Sequence, residues 1–87
     1  MQDVILKVVD CHLTLYGYFN RSDIVSMCNV GTASVSRAMK HYNGNCTYIG
    51  VNKRYEANSD FVSQYPQLEH LRYLRACQIV FDSEEKA

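Results

Sequence analysis

The sequence predicts a mainly α-helical domain that carries one small β-hairpin. Three observations lead there. Apolar residues recur at helical spacing around Val8, around Val35 and around Leu71. Asn29-Val30-Gly31 interrupts two of the helical runs with residues suited to a tight turn. Two short β-patterned runs, Cys46 to Gly50 and Arg54 to Ala57, flank the turn residues Val51-Asn52-Lys53.

The first helix is predicted from Asp3 to Tyr16, with Asp3 as its cap. Ile5, Val8, Val9, His12, Leu15 and Tyr16 form its apolar stripe, and His12 reads as a packed boundary residue. Gly17 stops this helix. Asn20-Arg21-Ser22-Asp23 fits an N-cap with an acid at the third helical position, a variant of the capping box. The second helix, Arg21 to Cys28, should bury Ile24, Val25 and Cys28, with Phe19 stapled onto Ile24. Asn29 falls where the inter-helix turn needs positive φ, which Asn tolerates better than most residues. Val30 follows as an apolar plug, and Gly31 caps the third helix.

That third helix is predicted from Thr32 to Tyr42, burying Val35, Ala38, Met39 and Tyr42. Its other face carries Thr32, Ala33, Ser36, Arg37 and Lys40. Small residues at the N-terminal end permit close approach to a major groove, and the donors reach base edges and phosphates. Asn43-Gly44 is the stop signal, with Gly44 expected in the left-handed region. The hairpin follows directly, as the wing of a winged helix does. Asn52 is expected to make its tight turn, with Lys53 and Arg54 at its tip. Tyr48 and Tyr55 should pack the hairpin onto the helices. After a connection anchored by Phe61, Pro66 opens a last helix running to Phe81. Leu68, Leu71, Leu74 and Cys77 form its stripe, extended by Val80 and Phe81. This helix either closes the core or makes a dimer interface, and the second role is preferred.

The chain has 87 residues, enough for one domain with a modest core. Its apolar share of 47% argues against general disorder. No apolar run approaches the roughly 20 residues of a membrane span. Met1-Gln2-Asp3 lacks the basic and apolar start of a signal peptide, so a cytoplasmic, nucleoid-associated location is expected. Cys11, Cys28, Cys46 and Cys77 are widely spaced and read as free thiols. With His12, His41 and His70 they show no metal-ligand spacing, so no metal site is expected. No phosphate loop, nucleophile elbow or carboxylate pair is present. The expectation is therefore a protein that is not an enzyme and takes no cofactor or small-molecule ligand.

The formal net charge of zero divides unevenly. Between Arg21 and Arg54 lie five basic residues and one acid, Asp23, so this segment carries +4 and the remainder −4. A basic segment is the electrostatic footprint expected for phosphate contact.

Val35-Ser36-Arg37-Ala38, five residues after Val30, resembles the recognition helix of many bacterial repressors. A longer set adds Asn20-Arg21-Ser22-Asp23-Ile24, Ala33-Ser34, Tyr48, Lys53-Arg54-Tyr55-Glu56-Ala57, Phe61 and Pro66. Together these residues are similar to the N-terminal winged helix-turn-helix of WYL-domain transcriptional regulators, including repressors of phage-defence islands. The resemblance covers residues 18–66. Two positions depart from it: Val25 stands where a small residue usually meets the turn, and Gly31 where Ser or Thr commonly caps. The resemblance is to this N-terminal domain alone, and no WYL effector domain is expected within the 87 residues.

The expected organisation is a DNA-binding domain over residues 1–65, a dimerisation or core-closing helix over 66–82 and an acidic, frayed tail over 83–87. The expected function is a sequence-specific double-stranded DNA-binding regulator, a homodimeric repressor on an inverted repeat. Thr32, Ala33, Arg37 and Lys40 would face base edges; Arg21, Ser22, Ser34 and Ser36 would hold phosphates; Lys53 and Arg54 would serve the wing; Leu68, Leu71, Leu74 and Cys77 would form the dimer interface. The alternatives are an accessory factor of excisionase or replication-initiation type, and a winged-helix module that binds proteins.

Overall fold

A computed structural model describes the backbone of residues 2–86 and the side chains of residues 2–78. The elements run α1 (Gln2–Tyr16), β1 (Tyr18–Phe19), α2 (Arg21–Cys28), α3 (Thr32–Met39), β2 (Cys46–Ile49), β3 (Arg54–Ala57) and α4 (His70–Lys86). The result is a mainly helical domain with a small antiparallel sheet in the order β1-β3-β2. No helix among the described residues is long and apolar enough to cross a membrane.

The central element is α1, which packs against α2, α3, α4 and β1. Val4, Ile5, Val8 and Val9 weaken its intrinsic helix propensity by at most about 0.7 kcal/mol each. Burying a large apolar side chain contributes about 1.5–3 kcal/mol, and Ile5, Val8, Val9 and Leu13 are all buried. Burial therefore decides the conformation. The buried surface is wider than the expected stripe: Leu6, Asp10, Cys11 and Leu13 are inside. Leu15 and Tyr16 are exposed, because Gly17 turns the chain away before α1's last turn is covered. Gly17 has φ +82° and donates its N–H to the Leu13 carbonyl at 2.9 Å. The helix starts at Gln2, which puts Asp3 inside its first turn rather than at a cap.

Tyr18–Phe19, expected only to lead into the second helix, forms a third strand. Tyr18 pairs with Glu56 and Phe19 with Tyr55. The hairpin itself lies where expected, with Tyr48 opposite Tyr55 and Ile49 opposite Arg54. Its turn differs. The positive φ falls on Lys53 (+53°), not on Asn52. Gly44 does not take up a left-handed conformation either. Its need is space, because a Cβ there would overlap the Tyr42 ring.

The last helix begins at His70, four residues beyond Pro66. Leu68 instead closes a turn onto the Tyr65 carbonyl at 3.1 Å. It then continues through Lys86, so Asp82 to Lys86 is helical rather than frayed. The side chains of Val80 and Phe81, assigned to its stripe, lie outside the described residues.

Candidate nucleic-acid interface

The pair α2–α3 is set by its turn. Asn20 precedes α2 with extended backbone and its N–H donates to Asp23 Oδ2 at 3.1 Å. At the other end Asn29 adopts φ +54°, ψ +50°, as its position in the turn requires. Gly31 is the extended N-cap of α3 and makes no side-chain cap bond. An eight-residue helix is marginal alone. Val35 and Ala38, both fully buried, fix this one to the body. It ends at Met39, earlier than expected, and Tyr42 lies just beyond it, half-buried.

Burying Val35 and Ala38 turns Thr32, Ala33, Arg37 and Lys40 to solvent, all four exposed. Ser34 and Ser36 are half-buried and already engaged. Ser34 Oγ accepts from Arg37 Nη2 at 3.3 Å, and Ser36 Oγ accepts from Arg21 Nη1 at 3.1 Å. The Arg21 guanidinium also lies over the Tyr48 ring, 5.4 Å from its centre. Ser22, beside it, is exposed. One continuous surface thus joins the start of α2, the outer face of α3 and the outer end of β2.

Lys53 is exposed at the hairpin turn, but Arg54 does not join it at the tip. As the first residue of β3, Arg54 shares a sheet face with Glu56 and with Tyr18 across the strand pair. Its Nε donates to Glu56 Oε2 at 2.8 Å and its guanidinium covers the Tyr18 ring at 4.4 Å. The hydrogen bonds from Arg54 and Asn52 hold the Glu56 carboxyl below its usual range. Tyr55 and Tyr48 lie on the opposite face. Tyr55 stacks on buried Phe19 at 4.8 Å, and Tyr48 packs edge-on against Tyr55 at 5.1 Å.

Compared with known proteins, the chain matches no family model, and no curated protein matches its sequence.

The stripe assigned to a dimer interface is divided by the structure. Leu74 is buried and belongs to the core of the single chain. Cys77 and Leu68 are half-buried against that core, and Leu68 precedes the helix. Leu71 alone of the four is exposed. It lines a groove of about 430 Å³ with His12, Tyr16, Tyr18, Asp23 and Arg75.

A second polar constellation lies inside the protein. Asp10 is fully buried and accepts from Tyr42 Oη at 2.7 Å, from the Gln64 N–H at 2.7 Å and from Ser63 Oγ. His70 Nε2 lies 3.7 Å from Asp10 Oδ2 and 3.3 Å from Ser63 Oγ. A hydroxyl activated for attack sits on one imidazole nitrogen with the carboxylate on the other. Here acid and hydroxyl face the same nitrogen, and the hydroxyl proton goes to the carboxylate. The arrangement is a cross-link among α1, the end of α3, the 58–69 connection and α4. Burial, and then the bond to Asp10, push the Tyr42 phenol well above its ordinary pKa.

All four cysteines are free. Burial raises the thiol of Cys11 to about 12 and that of Cys28 to about 11. Among the described residues no cluster of His, Cys, Asp or Glu has the grouping of a metal site.

Proposed function

We propose that this protein is a sequence-specific double-stranded DNA-binding regulator of winged helix-turn-helix architecture, acting as a homodimeric repressor on an inverted repeat. The observation that carries this reading is the outer face of α3. Thr32, Ala33, Arg37 and Lys40 are exposed together while Val35 and Ala38 hold the helix from behind. A helix presented this way fits a major groove, with small residues at its leading end and donors along its side. Arg37 spends one of its five N–H donors on Ser34, which leaves its remaining donors for guanine O6 and N7. Lys53 supports a wing contact. Arg54, paired with Glu56, drops out of the wing contacts.

Two-fold pairing is proposed on the groove between α1, β1, α2 and α4 rather than on the leucine stripe. Tyr16, Tyr18 and Leu71 are exposed there. The same groove contains Asp23 and Arg75, opposite charges that two copies could exchange across a two-fold axis.

Binding isotherms across a salt series test the reading. Arg37→Ala should cost about 1–3 kcal/mol at one base position per half-site. Lys53→Ala should weaken all sequences alike and reduce the salt slope by about 0.9. An Arg37→Ala protein with unchanged sequence preference would overturn the assignment of α3.

A further inference from the structure

We infer that Tyr48 and Ser36 are positioning residues that preset Arg21 to grip a DNA backbone phosphate. The inference rests on the DNA-binding reading and adds to it how one phosphate contact is built. Arg21 is the first residue of α2, Ser36 lies mid-way along α3 and Tyr48 is in β2. Three elements therefore converge on one guanidinium. Ser36 Oγ accepts from Nη1 at 3.1 Å, and the guanidinium carbon lies over the Tyr48 ring, 5.4 Å from its centre.

A free arginine side chain carries rotamer entropy that a phosphate contact must overcome. Here the ring and the serine already restrict it. Neither partner is an acid, so the positive charge is left unneutralised, unlike that of Arg54. The Ser36 hydroxyl accepts from Arg21 and keeps its own proton, which has no hydrogen-bond acceptor among the described residues. Guanidinium and hydroxyl thus offer two donors to one anion. Exposed Ser22 stands next in the chain. Two donors fit the paired oxygens of an oxyanion, which on the DNA-binding reading is a backbone phosphodiester. Tyr48 is 41% exposed, so it holds Arg21 without being needed to fill the core.

The test is a double-mutant cycle read by fluorescence anisotropy on a short mixed-sequence duplex, repeated across salt concentrations. Tyr48→Leu should weaken binding about two- to five-fold, the range expected for an exposed cation–π contact. Tyr48→Phe keeps the ring and should bind as the wild type does. Arg21→Ala should lower the salt slope by about 0.9, one phosphate contact. In the Arg21→Ala background, adding Tyr48→Leu should change nothing further, and Ser36→Ala, which keeps only the loss of its own hydroxyl donor, should weaken binding less than it does in the wild type. Full additivity of either substitution with Arg21→Ala overturns the positioning role, since the residue then acts independently of Arg21. Ser36→Ala supplies the second arm if Tyr48→Leu disturbs the hairpin. Absence of duplex binding by the wild type at low salt overturns the DNA-binding reading itself and this inference with it.

Discussion

The Tyr42 hydroxyl donates to Asp10 Oδ1 across 2.7 Å, joining residues 32 apart in sequence. Through this bond the segment that leaves α3 is tied to the middle of α1. The Gln64 amide and Ser63 hydroxyl meet the same carboxylate from the far side of the hairpin. The outer face of α3 is therefore held by more than Val35 and Ala38.

Replacing Asp10 by Ala should destabilise the fold severely. It would take the acceptor from three part-buried hydrogen bonds, those of Tyr42, Ser63 and the Gln64 N–H, and each donor left unsatisfied costs about 1–3 kcal/mol. Tyr42→Phe removes a single donor and should cost about 1–2 kcal/mol. Urea unfolding monitored by circular dichroism ranks the two. A Tyr42→Phe loss equal to that of Asp10→Ala would contradict the hub role of Asp10.

Stability should fall on the alkaline side. Cys11, Cys28 and Tyr42 all have their folded pKa raised, the thiols from 9.0 to about 12 and about 11, and the phenol beyond 10.0. The folded state therefore holds protons that the unfolded chain releases first. The thiols' stabilisation is complete below pH 9 and is lost as pH rises from 9 through 12, and the phenol's begins to be lost above pH 10, so stability decreases with pH throughout that window. Denaturant midpoints measured from pH 7 to pH 11 check the direction. Stability that rises above pH 9 would contradict it.

The same burial protects the thiols. Cys11 and Cys28 are fully buried, and burial also raises Cys46 and Cys77. Alkylation at mildly alkaline pH should be slow at all four in the folded protein, slowest at Cys11 and Cys28, and rapid in urea. Rapid native labelling of Cys28 would contradict the packing of α2 on the core.

Lys53→Gly separates stability from binding. Lys53 holds φ +53°, a conformation that costs a non-glycine residue about 1 kcal/mol. The glycine variant should be as stable as the wild type or more so, up to about 1 kcal/mol. It should also bind DNA more weakly at low salt. A variant that loses stability and keeps full DNA affinity would contradict both the turn geometry and the wing role.

The parts of the fold that were legible in sequence are those set by local chemistry. Asn20 and Asp23 marked the start of α2, Asn29 and Gly31 marked the turn, and alternation around Tyr48 and Tyr55 marked the hairpin strands. Strand β1 was invisible because two residues carry no periodicity; Tyr18 and Phe19 become a strand only when β3 offers its free edge. Pro66 suggested the wrong helix start because proline suits a turn as well as a first helical position. The true start, His70, lies against Asp10, a long-range neighbour. Asp10 itself gave one faint signal, a lone acid between Val9 and Cys11 on an otherwise apolar surface, but its partners lie 32 to 54 residues away. The exposed face of α3 followed from helical spacing alone. The engagement of Arg21 with Ser36 and Tyr48, and of Arg54 with Glu56 and Tyr18, required knowing which sheet face each strand residue takes.

The most direct test of the central claim is selection of bound sequences from a random duplex library at near-physiological salt, with Arg37→Ala carried in parallel. The account predicts an inverted repeat whose half-sites each lose one defined base preference in the variant. Enrichment of no sequence, with only salt-sensitive general binding, would contradict it.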